Sequence, residues 1–201
     1  MKDGLFISFE GIDGSGKSTQ LDLFYDYLVV NGFNVVKTKE PGATLIGKKI
    51  KKILLDKKNI NIAKETETLL YAADRAQHME EIILPALTEN KIILTDRFFD
   101  SNLAYQSAND TENSDIKKAN YFLKRNPDMT FYLRVDPKLA AKRIARKKQD
   151  RIEGKGIIFQ EKVATIYDKI FSEKKEAIVI EAAGDKKKIF ERIKSEFEKR
   201  L

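Results

Sequence analysis

The sequence contains no cysteine and a single histidine, His78. Disulfide bonds and thiolate metal sites are therefore excluded. Nothing near His78 supplies further metal ligands, so it reads as structural. No run approaches the ~18 apolar residues that a membrane-spanning helix needs. The N-terminal apolar stretch is about five residues long and is interrupted by Ser8, unlike a secretory leader. A cytoplasmic protein without membrane attachment is expected. There is no internal repeat, no low-complexity tract and no linker rich in Pro, Gly or Ser. The 201 residues thus predict one domain with one proper core. Apolar content is ordinary at 42%, charged content is high at 34%, and the net charge is +7. That balance suits either nucleic acid or small polyanions such as nucleotides. No recognisable nucleic-acid motif accompanies it, which favours the second.

The strongest motif is Gly11-Ile12-Asp13-Gly14-Ser15-Gly16-Lys17-Ser18-Thr19, a Gly-x-x-x-x-Gly-Lys-Ser phosphate loop. Gly11 and Gly16 let the chain wrap closely around an anion. Successive backbone N–H groups then point inward, and the helix that follows adds its positive dipole end. Lys17 can reach β- and γ-phosphates, and the Ser18 hydroxyl can bind Mg²⁺. The context fits as well. Leu5-Phe6-Ile7-Ser8-Phe9 reads as a buried strand, and Leu21, Phe24, Tyr25 and Leu28 recur at helical spacing. No Asn-Lys-x-Asp segment is present, which argues against a GTPase.

Short apolar runs alternating with amphipathic stretches predict an α/β fold. Strands are expected at 5–9, 34–38, 92–95, 130–135 and 177–180, each nearly continuous in apolar or β-branched residues, as in a sheet covered on both faces. Helices are expected at 17–31, 44–55, 64–90, 100–107, 114–125, 137–147, 157–173 and 186–200, with a kink or break at Pro85. Right-handed crossovers then give a parallel sheet, with ligands at the carboxyl ends of its strands.

Chemistry-bearing residues follow those strand ends. Asp96, closing an apolar strand, is placed to hold Mg²⁺, and Arg97 can grip a phosphate bidentately. The alternative is an Asp–Arg ion pair that only orders the strand end. Tyr71, Asp74, Arg75 and His78 share one helix face. An aromatic and an arginine there can stack and hydrogen-bond a base. Periodicity alone favours the alternative, a core-facing tyrosine beside a surface Asp–Arg ladder. The basic run 142–151 can close over phosphates, with Gly154 and Gly156 as hinges, or be a solvated helix face.

Taken together, Phe9-Glu10-Gly11 through Thr19, Glu40-Pro41-Gly42, Ala73-Asp74-Arg75-Ala76-Gln77-His78, Asp96-Arg97-Phe98, Ala104-Tyr105-Gln106 and Asp150-Arg151-Ile152-Glu153 resemble the thymidylate kinases, phosphate-loop enzymes that phosphorylate a nucleoside monophosphate. The resemblance runs from about Leu5 to the last helix. It implies a three-layer P-loop NTPase fold over 1–201, with a five-stranded parallel sheet in the order 2-3-1-4-5 and a lid at about 143–156. It implies transfer of the ATP γ-phosphoryl group to dTMP with Mg²⁺, in dTTP biosynthesis, by a cytoplasmic homodimer.

Carried over residue by residue, loop residues 11–19 bind ATP, and Ser18 and Asp96 hold the metal. Asp13 meets the sugar 3′-hydroxyl, Tyr71 stacks on thymine, and Arg75 bonds the base edge. Arg97 holds the dTMP phosphate with Lys39 assisting. Glu40, Pro41, Asn102, Tyr105 and Gln106 complete the dTMP site. Lys17, Arg97 and Asp13 are implied in catalysis. Gly14 stands where one subclass carries an arginine, so the catalytic cation is expected from the lid, with Arg146 the best candidate. The family's usual Arg-Glu-Pro-Gly-Gly-Thr reads Lys39-Glu40-Pro41-Gly42-Ala43-Thr44 here. Phe98, Ser107 and Arg134 also depart from its pattern.

Overall fold

In the computed structural model, residues 4–146 and 149–200 are described. Strand β1 (Leu5–Glu10) alternates between two apolar layers, as the two-residue repeat of a strand requires. Phe6 packs with Met79, Ile83, Ile93 and Phe98, while Ile7 and Phe9 join a larger cluster containing Phe24, Phe131 and Tyr167. The other strands are β2 (Val35–Lys39), β3 (Ile92–Asp96), β4 (Met129–Arg134) and β5 (Ala177–Glu181). All pairings are parallel, in the order β2-β3-β1-β4-β5, as expected. Each strand ends within one residue of its expected bounds. The register sets Asp96 beside Phe9 on one side and Lys39 on the other, so three strands end together.

Helix α1 (Lys17–Val30) starts directly from the phosphate loop, with Gly16 at φ 96°. Only a residue without a Cβ takes that conformation without strain. Helix α2 (Leu45–Leu55) is capped by the Thr44 hydroxyl, which accepts from Gly47 N at 2.9 Å. The long helix expected at 64–90 is α3 (Lys64–His78), a π turn at Met79–Ile83 and α4 (Leu84–Thr88). The π turn explains how the chain passes Pro85. Leu84 N–H bonds Met79 O, five residues back, and the widened turn makes room for a ring that has no N–H to give.

The remaining helices are α5 (Phe99–Ala108), α6 (Asn113–Ala119), α7 (Pro137–Ile144), α8 (Ile157–Glu173) and α9 (Lys186–Glu198). Three are shorter than the patterns predict, α9 by two residues only. α6 stops at Asn120, whose amide turns back onto Ile116 O at 2.8 Å and whose oxygen accepts from Arg75. α7 ends at Ile144 rather than 147, and Lys147 and Lys148 lie outside the described residues.

Candidate active site

The loop between β1 and α1 holds Lys17 inward. Its Nζ donates to the carbonyls of Gly11 and Ile12, both at 2.9 Å, and the side chain is buried. Burial, with the charge of Arg97 adding to it, pulls the Lys17 ammonium down to about 8. Beside it, Ser18 Oγ donates to Asp96 Oδ2 at 2.6 Å. Gly14 sits under α7: a Cβ there would stand 2.3 Å from the Ala140 carbonyl oxygen, and φ is +82°. A side chain at this loop position has no room.

Arg97 follows β3 with φ 74°, a conformation costly for any residue but glycine. Its partner is Asp13, not the adjacent Asp96. Nη2 donates to Asp13 Oδ1 at 2.6 Å and to the Tyr105 hydroxyl at 3.0 Å. Nη1 donates to Gly11 O, Ser101 Oγ and the Tyr167 hydroxyl at 3.0, 3.0 and 3.2 Å. Burial works against the Asp13 anion, but the charges of Arg97 and Lys17 outweigh it and hold the carboxyl below its ordinary range. Behind this pair lies Glu10, the last residue of β1, fully buried. Burial and the nearby Asp100 push its carboxyl up to about 7.

The opposite wall comes from α3. Arg75 is 2% exposed and pairs with Glu40 Oε2 at 2.7 Å. It also donates to Asn102 Oδ1 at 2.8 Å and Asn120 Oδ1 at 2.7 Å. Asp74 is buried too, accepting from Gly42 N at 2.9 Å. The surface Asp–Arg ladder that periodicity favours is therefore not what forms. Asp74 and Arg75 face inward because β2 and the cis Glu40–Pro41 turn bring partners to them. His78 is buried. Its Nδ1 donates to Glu40 Oε1 at 2.9 Å, and Nε2 meets Thr38 Oγ1 at 2.7 Å. Tyr71, one turn before Arg75, is half-buried and lines the cleft.

Between these walls lies a cleft of about 370 Å³, reached by Asp13, Asp96, Arg97, Tyr71, Arg75 and Asn102 together. Lys39, Glu40, Pro41, Tyr105 and Gln106 also reach it. A sequence model of the family described as Thymidylate kinase matches residues 9–193. The chain belongs to the thymidylate kinase family. It is 44% identical to "Thymidylate kinase" of Thermosipho africanus over 200 residues, 98% of this chain and 99% of that one. Against the Finegoldia magna protein of the same name, identity is 44% over 192 residues, 92% and 94% of the two chains. Against the Thermosipho melanesiensis protein it is 42% over 193 residues, 94% and 96%.

Some family-motif positions stand apart from this thymidylate kinase cleft. Arg146 is exposed beyond the end of α7, away from the lining. Thr19 is exposed on α1, and Ile12 is packed into the larger core cluster. Arg143, expected only as one member of the basic run 142–151, donates to Gly14 O, Ser15 O and Ala182 O at 3.3, 3.4 and 2.9 Å. Sequence reasoning missed Glu67, a buried carboxylate that pairs with Arg151 and accepts from Gln106 Nε2 at 3.1 Å. Glu10 carried a usable signal: a charged residue closing an apolar strand just before the loop, as Asp96 closes β3. Tyr167 carried none, being one aromatic among many on an amphipathic helix.

Proposed function

We propose that the chain transfers the γ-phosphoryl group of ATP to dTMP, giving dTDP and ADP, in dTTP synthesis. The observation that carries this reading is the convergence of three parts on one cleft. These are a phosphate loop, an arginine at the neighbouring strand tip, and a Tyr–Arg face on the opposing helix. On this reading residues 11–19 cradle the donor phosphates and Lys17 neutralises them. Arg97 takes the acceptor phosphate with help from Lys39, and the dianion replaces Asp13 on the guanidinium. Asp13 then serves the sugar 3′-hydroxyl. Tyr71 stacks on the base, and Arg75, Asn102, Tyr105 and Gln106, with Glu40 and Pro41, complete the pocket. The acceptor phosphate is already anionic, so positioning and charge stabilisation suffice without a strong general base.

Ser18 Oγ and Asp96 Oδ2 are hard oxygens 2.6 Å apart, beside the loop. That pair suits Mg²⁺, which takes one or two protein oxygens and completes its shell with phosphate and water. When bound, the ion supplies positive charge to the β- and γ-phosphoryl oxygens.

The same proposal makes 1–201 one kinase domain with a lid at about 143–156. Among the described arginines of that lid, Arg143 is held by three carbonyls and Arg151 by Glu67. Exposed Arg146 is therefore assigned to the transferring group. Arg146→Ala is expected to lower kcat far more than it raises KM for dTMP. An unchanged kcat moves the role to Arg151 or to Lys147 and Lys148. A homodimer is proposed on the exposed Leu45, Ile46 and Ile53 of α2 and Leu69 of α3. No helix among the described residues is long and apolar enough to cross a membrane. With the absence of cysteine, this supports a cytoplasmic place.

The function is tested by ADP release with a panel of monophosphates. dTMP is expected to give the highest kcat/KM, ahead of dUMP. Equal rates across the panel would leave a phosphoryl transferase but remove the thymidine assignment.

A further inference from the structure

We infer that Glu10 is the positioning residue for Arg97, acting through the hydroxyls of Ser101 and Tyr167. The inference rests on the proposed role of Arg97 at the acceptor phosphate. Glu10 Oε1 accepts from Phe98 N at 2.7 Å, which fixes the chain just past Arg97. Glu10 Oε2 accepts from Ser101 Oγ at 2.6 Å and from the Tyr167 hydroxyl at 3.0 Å. Both hydroxyl oxygens accept from Arg97 Nη1, and they lie 2.7 Å from each other.

The direction of this relay is fixed at both ends. A guanidinium only donates, and Glu10, once ionised above its value of about 7, as at pH 8 where the test is run, only accepts. The two hydroxyl protons are therefore spent toward Glu10 or between the hydroxyls, and neither points at Arg97. Their lone pairs are left for Nη1. The result is an arginine with one edge anchored and one edge exchangeable. Nη1 is pinned from behind by a fully buried carboxylate, while Nη2 faces Asp13, whose side chain is 24% exposed and open to displacement. Backbone strain at Arg97 makes such anchoring necessary, since φ 74° persists only where its surroundings impose it.

Glutamine at position 10 keeps the shape and breaks the relay. If its oxygen stays on Phe98 N, its amide donates to hydroxyls that then have a proton left over for Arg97. If it flips, two donors meet at Phe98. Either way one buried donor faces another, and an unmet buried donor is costly.

The test compares Glu10→Gln, Tyr167→Phe, Arg97→Met and the Glu10→Gln/Arg97→Met double variant by calorimetry at pH 8 with dTMP and with MgATP. Glu10→Gln is expected to weaken dTMP binding about tenfold, since the bond at stake involves a charged group. MgATP affinity should stay within about twofold, a split that general loss of structure would not produce. In the Arg97→Met background, Glu10→Gln should add nothing further to the dTMP loss. If Glu10→Gln fails to fold, Tyr167→Phe decides, with a smaller loss confined to dTMP. An equal loss for both nucleotides, or a full loss persisting in the double variant, overturns the inference. If Arg97→Met weakens dTMP but neither relay variant does, only the role of Glu10 falls. If Arg97→Met leaves dTMP binding intact, the assignment of Arg97 falls first.

Discussion

Lys17→Met is expected to cut kcat/KM about a thousandfold, on the order of 4 kcal/mol of transition-state stabilisation. Methionine keeps most of the apolar stem and removes only the donor and its charge. That charge is buried and preorganised: Nζ already lies 2.9 Å from two loop carbonyls, those of Gly11 and Ile12. Water cannot substitute for it there. Steady-state rates within tenfold of the parent protein would remove Lys17 from the donor site. The same residue sets a pH signature. Its ammonium is held down to about 8 by burial first and Arg97 second. A triphosphate favours the charged form and raises that value. MgATP binding at pH 8 should therefore take up about half a proton, and at pH 6.5 almost none, because Lys17 is protonated there already. Calorimetry in buffers of different ionisation enthalpy reads this directly, and Lys17→Met should abolish the uptake.

Arg75→Ala is expected to destabilise the fold by about 3–5 kcal/mol. The loss is not that of one contact. Arg75 is the cation opposite Glu40, and its removal leaves a carboxylate with 3% of its side chain exposed facing only His78. Asn102 and Asn120 lose their donor at the same time. Urea unfolding should show a lower midpoint with an unchanged slope. A midpoint equal to the parent's would mean that Glu40 finds water or another cation, and that the pair does not hold β2 to α3. dTMP binding measured on the folded fraction then separates the proposed contact with the base from this structural one.

The parts of the fold legible in the sequence were those set by local pattern. Strands β1, β3 and β4 are buried on both faces, so their apolar runs are nearly unbroken, while the edge strands β2 and β5 are only partly covered, against the expectation for all five. The phosphate loop announces both its neighbours. Pairing across the fold was not legible. Arg97 finds Asp13 rather than Asp96, and Glu10 finds Tyr167, because β1, β3 and α8 meet only after the sheet forms. Asp74 and Arg75 look like a surface ladder because helical periodicity records charge and not partners. Their burial depends on Gly42 and Glu40, contributed from beyond β2. The early end of α6 had the same origin. Asn120 is a helix residue by pattern, but its side chain serves Arg75, 45 positions away in the chain.

The contact between Gly14 and the Ala140 carbonyl has an evolutionary consequence. A substitution in the loop and a shift of α7 are a single event here, since neither can be accommodated without the other. A lineage could acquire a loop side chain at this point only by first loosening residues 137–144. A mutational library confined to position 14 would search only dead ends, whereas one that varies both segments together has viable paths open to it.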